Sequence, residues 1–367
     1  MSNSPRFHNL QVSRISAEAA GSVAIALYIP EHLRGTFEFQ PGQYLTLRAT
    51  INGVDVRRSY SICSTPSHLA KHHELVVGIR PMENGVFSNW AAKELKEGDT
   101  LLVMKPDGRF VSKRARALHR VGFAAGSGIT PILSIMTSTL EAQADSKFTL
   151  IYGNRSMANV MFSEALQDLK DRNRDRLTLI HILSRQAQES DLLQGRIDGD
   201  KVHAIIDALL PVDSMDEVFI CGPEVMIEAT QAALIAAGVP ADRVHSERFT
   251  SPTLEELSPA DRQAAVAGHK LSASGKVALT IVLDGKPHEL QMSPEQRVLD
   301  VALASGLDLP WSCKGGVCCT CRVKVIEGSV QMDKNFGLEP WETEKGFVLS
   351  CQARPTSERL VVSYDER

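Results

Sequence analysis

The sequence has no surplus of positive charge: 40 Lys and Arg stand against 44 Asp and Glu, a formal net charge of −4. A strongly basic face, the footprint of a nucleic-acid binder, is therefore not expected. No uninterrupted apolar stretch approaches the ~20 residues that span a bilayer. Residues 1–20, MSNSPRFHNLQVSRISAEAA, contain no apolar core of a secretory signal. The expectation is a cytoplasmic protein with neither nucleic acid nor membrane as partner, in a compartment where structural disulfides are disfavoured. Internal repeats and low-complexity tracts are also missing. So is any Ser-His-Asp or paired-carboxylate arrangement: the 11 His are dispersed, and HLAKHH at 68–73 reads as an exposed loop rather than a metal site.

What is present is enough chain for two or three domains, since 367 residues exceed one ordinary core. Apolar residues at 43% and charged residues at 23% are typical of a soluble globular protein. Up to about residue 113 the chain is β-rich. SVAIALYIP, QYLTLRAT, RRSYSIC and ELVVGIRP are short runs of branched and aromatic residues separated by turn signals such as Pro41-Gly42 and Asn52-Gly53. With VFSNWAAKEL as the one helical interruption, this predicts an antiparallel β-barrel. From 114 to 250 the apolar runs RVGFAA, FTLIYGN, LTLIHILS and EVFICG alternate with helical patterns, which predicts an α/β domain on a parallel sheet. Residues 251–276 are small and polar, and read as an interdomain linker. From 277 to 367 a hairpin about Asp284-Gly285 is expected, then a short helix in PEQRVLDVALASG.

Four of the seven Cys crowd into CKGGVCCTC, residues 313–321. Cys313, Cys318 and Cys321 have the spacing C-x4-C-x2-C with Cys351 further on, the plant-type [2Fe–2S] pattern. Four thiolates on two irons need a tight loop, and Gly315 and Gly316 let backbone amides turn in without a β-carbon in the way. A zinc site is the other reading, although zinc more often shows paired C-x2-C knuckles. Cys63 and Cys221, taken alone, read as small buried apolar residues.

In RRSYSIC the residues Arg58, Ser59, Tyr60 and Ser61 form an R-x-Y-S pattern on a barrel strand. Arginine offers a fork for a phosphate, Tyr60 a face for a flavin ring, and Ser61 a hydroxyl near its reactive nitrogen. Gly85, Val86, Phe87 and Ser88 then open the helix VFSNWAAKEL, whose N-terminal amides would seat a pyrophosphate. An ordinary amphipathic strand and a capped helix are the competing account. AAGSGITP places Gly126 and Gly128 between a buried strand and a helix, with Thr130 and Pro131 in its first turn. This is a dinucleotide signal short of the full G-x-G-x-x-G fingerprint. Arg155 stands at the next strand end, where an NAD site typically has an acid, and Ser184-Arg185 ends the strand after that. These groups suit a 2′-phosphate, so NADPH is the expected coenzyme, with solvated loop ends as the other reading. Cys221, Gly222 and Pro223 close the fourth strand. There Cys221 would stand beside the nicotinamide or serve as a buried structural thiol, and Glu247 and Phe249 in HSERF would return to the flavin.

Flavin barrel, nucleotide domain and plant-type cluster, in that order, resemble the ferredoxin–NADP reductase superfamily fused to a C-terminal ferredoxin. The resemblance runs through PGQYLTL, RRSYSIC, GVFSNW, AAGSGITP, LIYGNR, FICGPEVM and CKGGVCCTC, and so covers the whole chain. SDLLQGRIDGDKV, SERF and GFVLSCQ look like reductase subunits of phenylacetyl-CoA epoxidase complexes. The resemblance implies an α+β (β-grasp) ferredoxin domain and FAD, NADPH and a [2Fe–2S] cluster as cofactors. It implies Cys313, Cys318, Cys321 and Cys351 as ligands with Cys319 left over, and Ser61 and Cys221 at the hydride-transfer site. It further implies that electrons pass from NADPH through FAD and the cluster to partner oxygenase subunits of a multicomponent di-iron epoxidase. A reductase serving a Rieske-type ring or steroid hydroxylase or a hybrid-cluster protein is the alternative client. A non-catalytic redox sensor that merely holds a cluster is the alternative of another class.

Overall fold

The structure, a computed structural model, describes residues 6–249 and 276–366. The expected linker at 251–276 lies outside the described residues except for Lys276. The chain divides into two compact units, one running from Pro5 to Glu247 and the other carrying the C-terminal domain.

The first unit opens with β1 (Phe7–Ala17), β2 (Val23–Tyr28), β3 (Tyr44–Ile51), β4 (Val54–Ser61), β5 (Glu74–Ile79) and β6 (Thr100–Met104). They form one antiparallel sheet in the order β4-β3-β6-β1-β2-β5. Its two outer strands meet again at the Ile62–Val77 bridge and the Cys63 N to Val76 O hydrogen bond of 2.8 Å, which close the barrel. Between β3 and β4 only Asn52 and Gly53 turn the chain, at φ +51° and +77°. Two consecutive positive φ values make the primed turn that matches strand twist. Leu10, Ile25, Leu27, Leu45, Leu47, Val77 and Val103 fill the barrel with 0% exposure. HLAKHH is not a loop: Pro66–His72 is a helix, capped by Thr65 Oγ1 accepting from His68 N at 3.1 Å, with Pro66 in its first turn. The Thr-Pro start is a helix signal that the run of histidines obscures.

The same unit continues through β7 (His119–Ala125), β8 (Lys147–Asn154), β9 (Leu177–Leu183), β10 (Glu217–Cys221) and β11 (Val244–Glu247), all parallel in the order β11-β10-β7-β8-β9. Helices Ile129–Ala142 and Ser163–Arg172 cover one face, and Gly199–Leu209 and Glu224–Ala236 the other. At the amino edge of this sheet lies a buried hub. Glu217, 0% exposed, pairs with Arg120 Nε at 2.9 Å. It also accepts from Ser112 Oγ at 2.6 Å and from the amides of Lys113 and Arg114 at 2.9 and 3.2 Å. The strap leaving the barrel is thus fastened to β10. Burial alone would raise the Glu217 carboxyl, but donors from His245, Ser112, Arg120 and Lys113 overturn that and hold it down to about 2.

The second unit holds β12 (Val277–Leu283), β13 (Lys286–Met292), β14 (Arg322–Glu327), β15 (Val330–Met332), β16 (Phe347–Leu349), β17 (Ala353–Pro355) and β18 (Arg359–Ser363). Five of these make a mixed sheet in the order β13-β12-β18-β14-β16, while β15 pairs with β17. Helix Val298–Ala304 packs in the same core as Leu279, Val323 and Leu360. The Asp284-Gly285 turn repeats the primed geometry, at φ +51° and +73°. Among the described residues no helix is long and apolar enough to cross a membrane.

Replacing Glu217 by Gln leaves Arg120 buried without its counter-charge, and should cost about 3–5 kcal/mol in denaturant unfolding. The carboxyl's contribution is fully present above its ordinary value of 4.5 and is lost as pH falls toward about 2. An acid titration of stability should therefore show a shallower acid limb in Glu217→Gln.

Candidate functional site

Ser61, the last residue of β4, donates through Oγ to Glu247 Oε2 at 3.1 Å. Glu247 ends β11 directly beside Cys221, its register partner at the end of β10, and Cys221 in turn pairs with Ala124 of β7. One barrel strand and three strands of the nucleotide sheet thus bring their ends to one place. Burial pushes the Glu247 carboxyl up to about 8, only partly offset by the Ser61 hydroxyl, and so this side chain holds a proton at neutral pH. Cys221 is fully buried, and burial with Glu247 nearby keeps its thiol protonated.

On the barrel side, the Tyr60 ring lies 5.6 Å from Phe87, which stands edge-on to Trp90 at 5.5 Å. Arg58 is exposed with Nη1 on the Arg57 carbonyl at 2.7 Å, and Ser59 Oγ bonds Thr46 Oγ1 at 3.1 Å. Gly85 caps helix Val86–Lys93. A β-carbon at Gly85 would lie 2.4 Å from Ser88 Oγ, a hydroxyl that accepts from Met82 N at 3.2 Å. A strand with an outward arginine fork and an aromatic face, next to helix-start amides without intrahelical partners, fits a flavin dinucleotide. Val86 and Phe87 divide the labour: the first is 50% exposed, the second 1% and part of the barrel core.

On the nucleotide side, Gly126 has φ +54° and its carbonyl accepts from Tyr152 Oη at 2.8 Å. A β-carbon at Gly128 would sit 2.0 Å from the Cys221 carbonyl oxygen, so two loops at the carboxyl edge pack backbone to backbone. Arg80, at the end of β5 and absent from the sequence expectations, reaches this turn from the barrel. Its Nη1 lies 2.6 Å from where a Gly126 β-carbon would be. Only its place just past a strand end could have marked it. Arg155, Ser184 and Arg185 come together as exposed side chains, because Ser184 N and Arg185 N bond the carbonyls of Asn154 and Arg155 at 2.9 and 2.8 Å. Gly222 and Pro223 follow at the same edge, Pro223 capping helix Glu224–Ala236. Thr130 is not with them: it is 2% exposed, its hydroxyl spent on the Ser127 carbonyl at 3.0 Å and its methyl facing Gly78.

In the second unit, Cys313 and Cys318 are within hydrogen-bonding reach of each other, and so are Cys321 and Cys351. Cys313 also lies close enough to Cys351, and Cys318 to Cys321, for their charges to interact, so the two pairs are neighbours. These thiols stand in for the thiolates that would ligate iron. Two sulfur pairs side by side fit a two-iron cluster. Cys319 turns elsewhere: at φ +57°, its Sγ lies 2.4 Å from where a Gly337 β-carbon would be, and it packs on the domain core.

Such an assembly defines an oxidoreductase with separate flavin, nicotinamide and iron–sulfur domains. Comparison with known families agrees, matching an oxidoreductase FAD-binding domain over residues 15–111, an oxidoreductase NAD-binding domain over 123–232 and a 2Fe-2S iron-sulfur cluster binding domain over 281–356. Its cofactors are therefore FAD, a nicotinamide nucleotide and a [2Fe–2S] cluster. The chain is 41% identical over 364 residues to a subunit of the 1,2-phenylacetyl-CoA epoxidase of Escherichia coli strain K12, covering 98% of both chains. It is 35% identical over 356 residues to the ferredoxin reductase component of 3-ketosteroid-9-alpha-monooxygenase of Rhodococcus rhodochrous, covering 97% of this chain and 96% of that one. Among solved structures, phthalate dioxygenase reductase shares the fold, with a TM-score of 0.59 at 21% identity, covering 97% and 98% of the two chains. The chain belongs to the family of reductase components of oxygenase systems that join FAD-, NAD- and 2Fe-2S-binding domains in one polypeptide.

Because the Glu247 carboxyl is raised in the fold, its stabilising share is full below 4.5 and is lost as pH rises through about 8. Glu247→Gln stays neutral throughout. Its thermal midpoint should decline less than the natural chain's between those pH values. Parallel curves would mean that Glu247 ionises as an ordinary carboxyl.

Proposed function

We propose that this chain is the NADPH-dependent reductase of a cytoplasmic di-iron oxygenase that epoxidises phenylacetyl-CoA. The observation that carries the choice of client is the 41% identity across 98% of both chains to a component of a 1,2-phenylacetyl-CoA epoxidase. When bound, FAD would supply the conversion between hydride and single-electron chemistry, and the [2Fe–2S] cluster, of a type near about −400 mV, would supply a one-electron exit toward the oxygenase.

The residues divide this work by position. Residues 1–113 bind FAD: Arg58 forks a phosphate, Ser59 braces the strand, Tyr60 lies along the ring, and the amides of Val86, Phe87 and Ser88 seat the pyrophosphate beside Gly85, whose own N–H is spent on the Met82 carbonyl at 3.0 Å. Residues 114–250 bind NADPH. Gly126 and Gly128 shape the first turn, which the buried Thr130 hydroxyl braces from behind through the Ser127 carbonyl; Arg155, Ser184 and Arg185 meet the 2′-phosphate, and Cys221, Gly222 and Pro223 border the nicotinamide. Ser61 and Cys221 flank the point of hydride transfer, where Glu247 keeps a proton beside Ser61 Oγ. Residues 277–367 hold the cluster on Cys313, Cys318, Cys321 and Cys351. The exposed basic pair Arg155 and Arg185, where an acid would reject a 2′-phosphate, supports NADPH over NADH.

The 35% identity to a 3-ketosteroid-9-alpha-monooxygenase reductase supports a second client of the hydroxylase kind. Reconstitution separates the two. Coupled turnover of phenylacetyl-CoA with its oxygenase is expected, and coupling only with a steroid hydroxylase would overturn the proposal. Steady-state kinetics should favour NADPH, with Arg155→Ala and Arg185→Ala raising its KM while leaving that of NADH nearly unchanged. Iron analysis should find the cluster kept in Cys319→Ala and lost in Cys318→Ala; the reverse would mean the ligand register is wrong.

A further inference from the structure

Gln352 follows Cys351 and is 2% exposed. Its side-chain Nε2 carries two hydrogens, and both have acceptors. One bond runs to the Lys314 carbonyl at 2.9 Å, the other to Cys351 Sγ at 3.5 Å. The first reaches into the loop between Cys313 and Cys318. The second touches the sulfur that comes from the distant segment. No slack is left in the arrangement: Gln352 N donates to the Leu349 carbonyl at 2.8 Å, and its own carbonyl accepts from Asp333 N at 3.0 Å. Gly316 lies over the side chain, where a β-carbon would come 3.3 Å from Gln352 Cγ. Cys313 Sγ is served by the backbone amides of Gly315 and Cys318, at 3.3 and 3.5 Å, and Cys351 Sγ also has the Gly316 amide, so Gln352 is the side-chain amide donor added to a set of backbone ones.

We infer that Gln352 sets the reduction potential of the cluster by donating its side-chain N–H to Cys351, while the same nitrogen latches the 313–321 loop through Lys314. Reduction adds negative charge to the cluster and its thiolates. A buried neutral donor on a ligand sulfur stabilises that charge, in a setting where water is too scarce to substitute. Removing it should make the cluster harder to reduce. The inference rests on Cys351 being a ligand, and Gln352 acts as a positioning and tuning residue through that sulfur.

The test is a redox titration of the full-length holoprotein, followed by the electron paramagnetic resonance of the reduced cluster, on Gln352→Leu and Gln352→Glu. For Gln352→Leu, the reduced-to-oxidised ratio at the natural chain's midpoint should fall about three- to tenfold, a lowering of about 30–59 mV for a one-electron couple. Gln352→Glu keeps the shape and replaces the donor with a carboxylate. Its midpoint should drop further at high pH and recover as the carboxyl is protonated, whereas the natural midpoint stays comparatively flat. This pH signature can be read even if the leucine variant retains little cluster. A purely structural role would lower iron content and leave the midpoint of the remaining cluster unmoved and pH-independent, and that result overturns the inference. Cys351→Ser tests the ligand assignment separately. If it keeps iron and an unaltered spectrum, the ligand reading fails; if the spectrum changes but both Gln352 variants titrate as the natural chain does, the tuning inference alone fails.

Discussion

The hydrogen bond from Ser61 Oγ to Glu247 Oε2, 3.1 Å long and spanning 186 positions of sequence, is the contact that ties the barrel strand of the R-x-Y-S pattern to the carboxyl edge of the nucleotide sheet. Its net worth to stability is modest, about 1 kcal/mol for a bond between neutral groups. Its consequence is positional, because it joins the end of the R-x-Y-S strand to the end of β11, and register then delivers Cys221 alongside. What holds the barrel to the nucleotide sheet is buried contact of other kinds as well: Phe110 stands edge-on to Phe219 at 5.5 Å, and Ser134 Oγ donates to the Ser64 carbonyl at 2.6 Å. The strong contacts fix the two sheets, which leaves a weak one free to place two strand ends.

The two glutamates of this unit show how environment sets their opposite roles. Glu217 and Glu247 are both drawn out of water, yet one is held at about 2 and the other lifted to about 8. Glu217 is met by an arginine, a histidine, a serine and backbone amides, and so remains a charge that fastens the strap from the barrel. Glu247 is met by a single serine hydroxyl and keeps its proton. Both belong to neighbouring strands, Glu217 at the amino edge of β10 and Glu247 at the carboxyl edge of β11. The sheet is clamped by a paired charge at one edge, while at the other Glu247 stays neutral beside Cys221.

Much of this was legible in the residues because strand burial and turn chemistry are local. The apolar runs of the parallel sheet, the Asn52-Gly53 and Asp284-Gly285 turns, and the glycines at 126 and 128 each announce a backbone requirement within a few positions. What was not legible depends on distant partners. Glu217 reads as an ordinary acid before a strand, and nothing nearby says that Ser112 and Arg120 will surround it. Arg80 matters only because the barrel lies against the Gly126 turn. The direction of the Thr130 side chain is hidden for the same reason: it faces Gly78, 52 positions earlier, rather than the coenzyme edge. The helix at Pro66–His72 failed differently, since its Thr-Pro cap was local and was outweighed by a polar, histidine-rich composition.

The cysteine loop shows how sequence spacing becomes a cage. Spacing puts three sulfurs on one loop, but the fourth arrives through strand pairing. Arg322 of β14 faces Leu349 of β16, so the residues just outside that pair, Cys321 on one side and Ser350-Cys351 on the other, must lie together. Ser350 fastens them, its N and Oγ bonding the Cys321 carbonyl at 3.1 and 2.9 Å. A slip of one residue would turn every side chain of β16 to the opposite face and carry Cys351 out of reach. Arg322 guards against that slip. Its guanidinium lies 3.4 Å from the centre of the Phe347 ring on β16, and its Nε pairs with the fully buried Glu342 at 2.8 Å. A charge that must stay paired in the interior tolerates one register and penalises the next. The residue immediately after Cys321 thereby fixes where Cys351 can be.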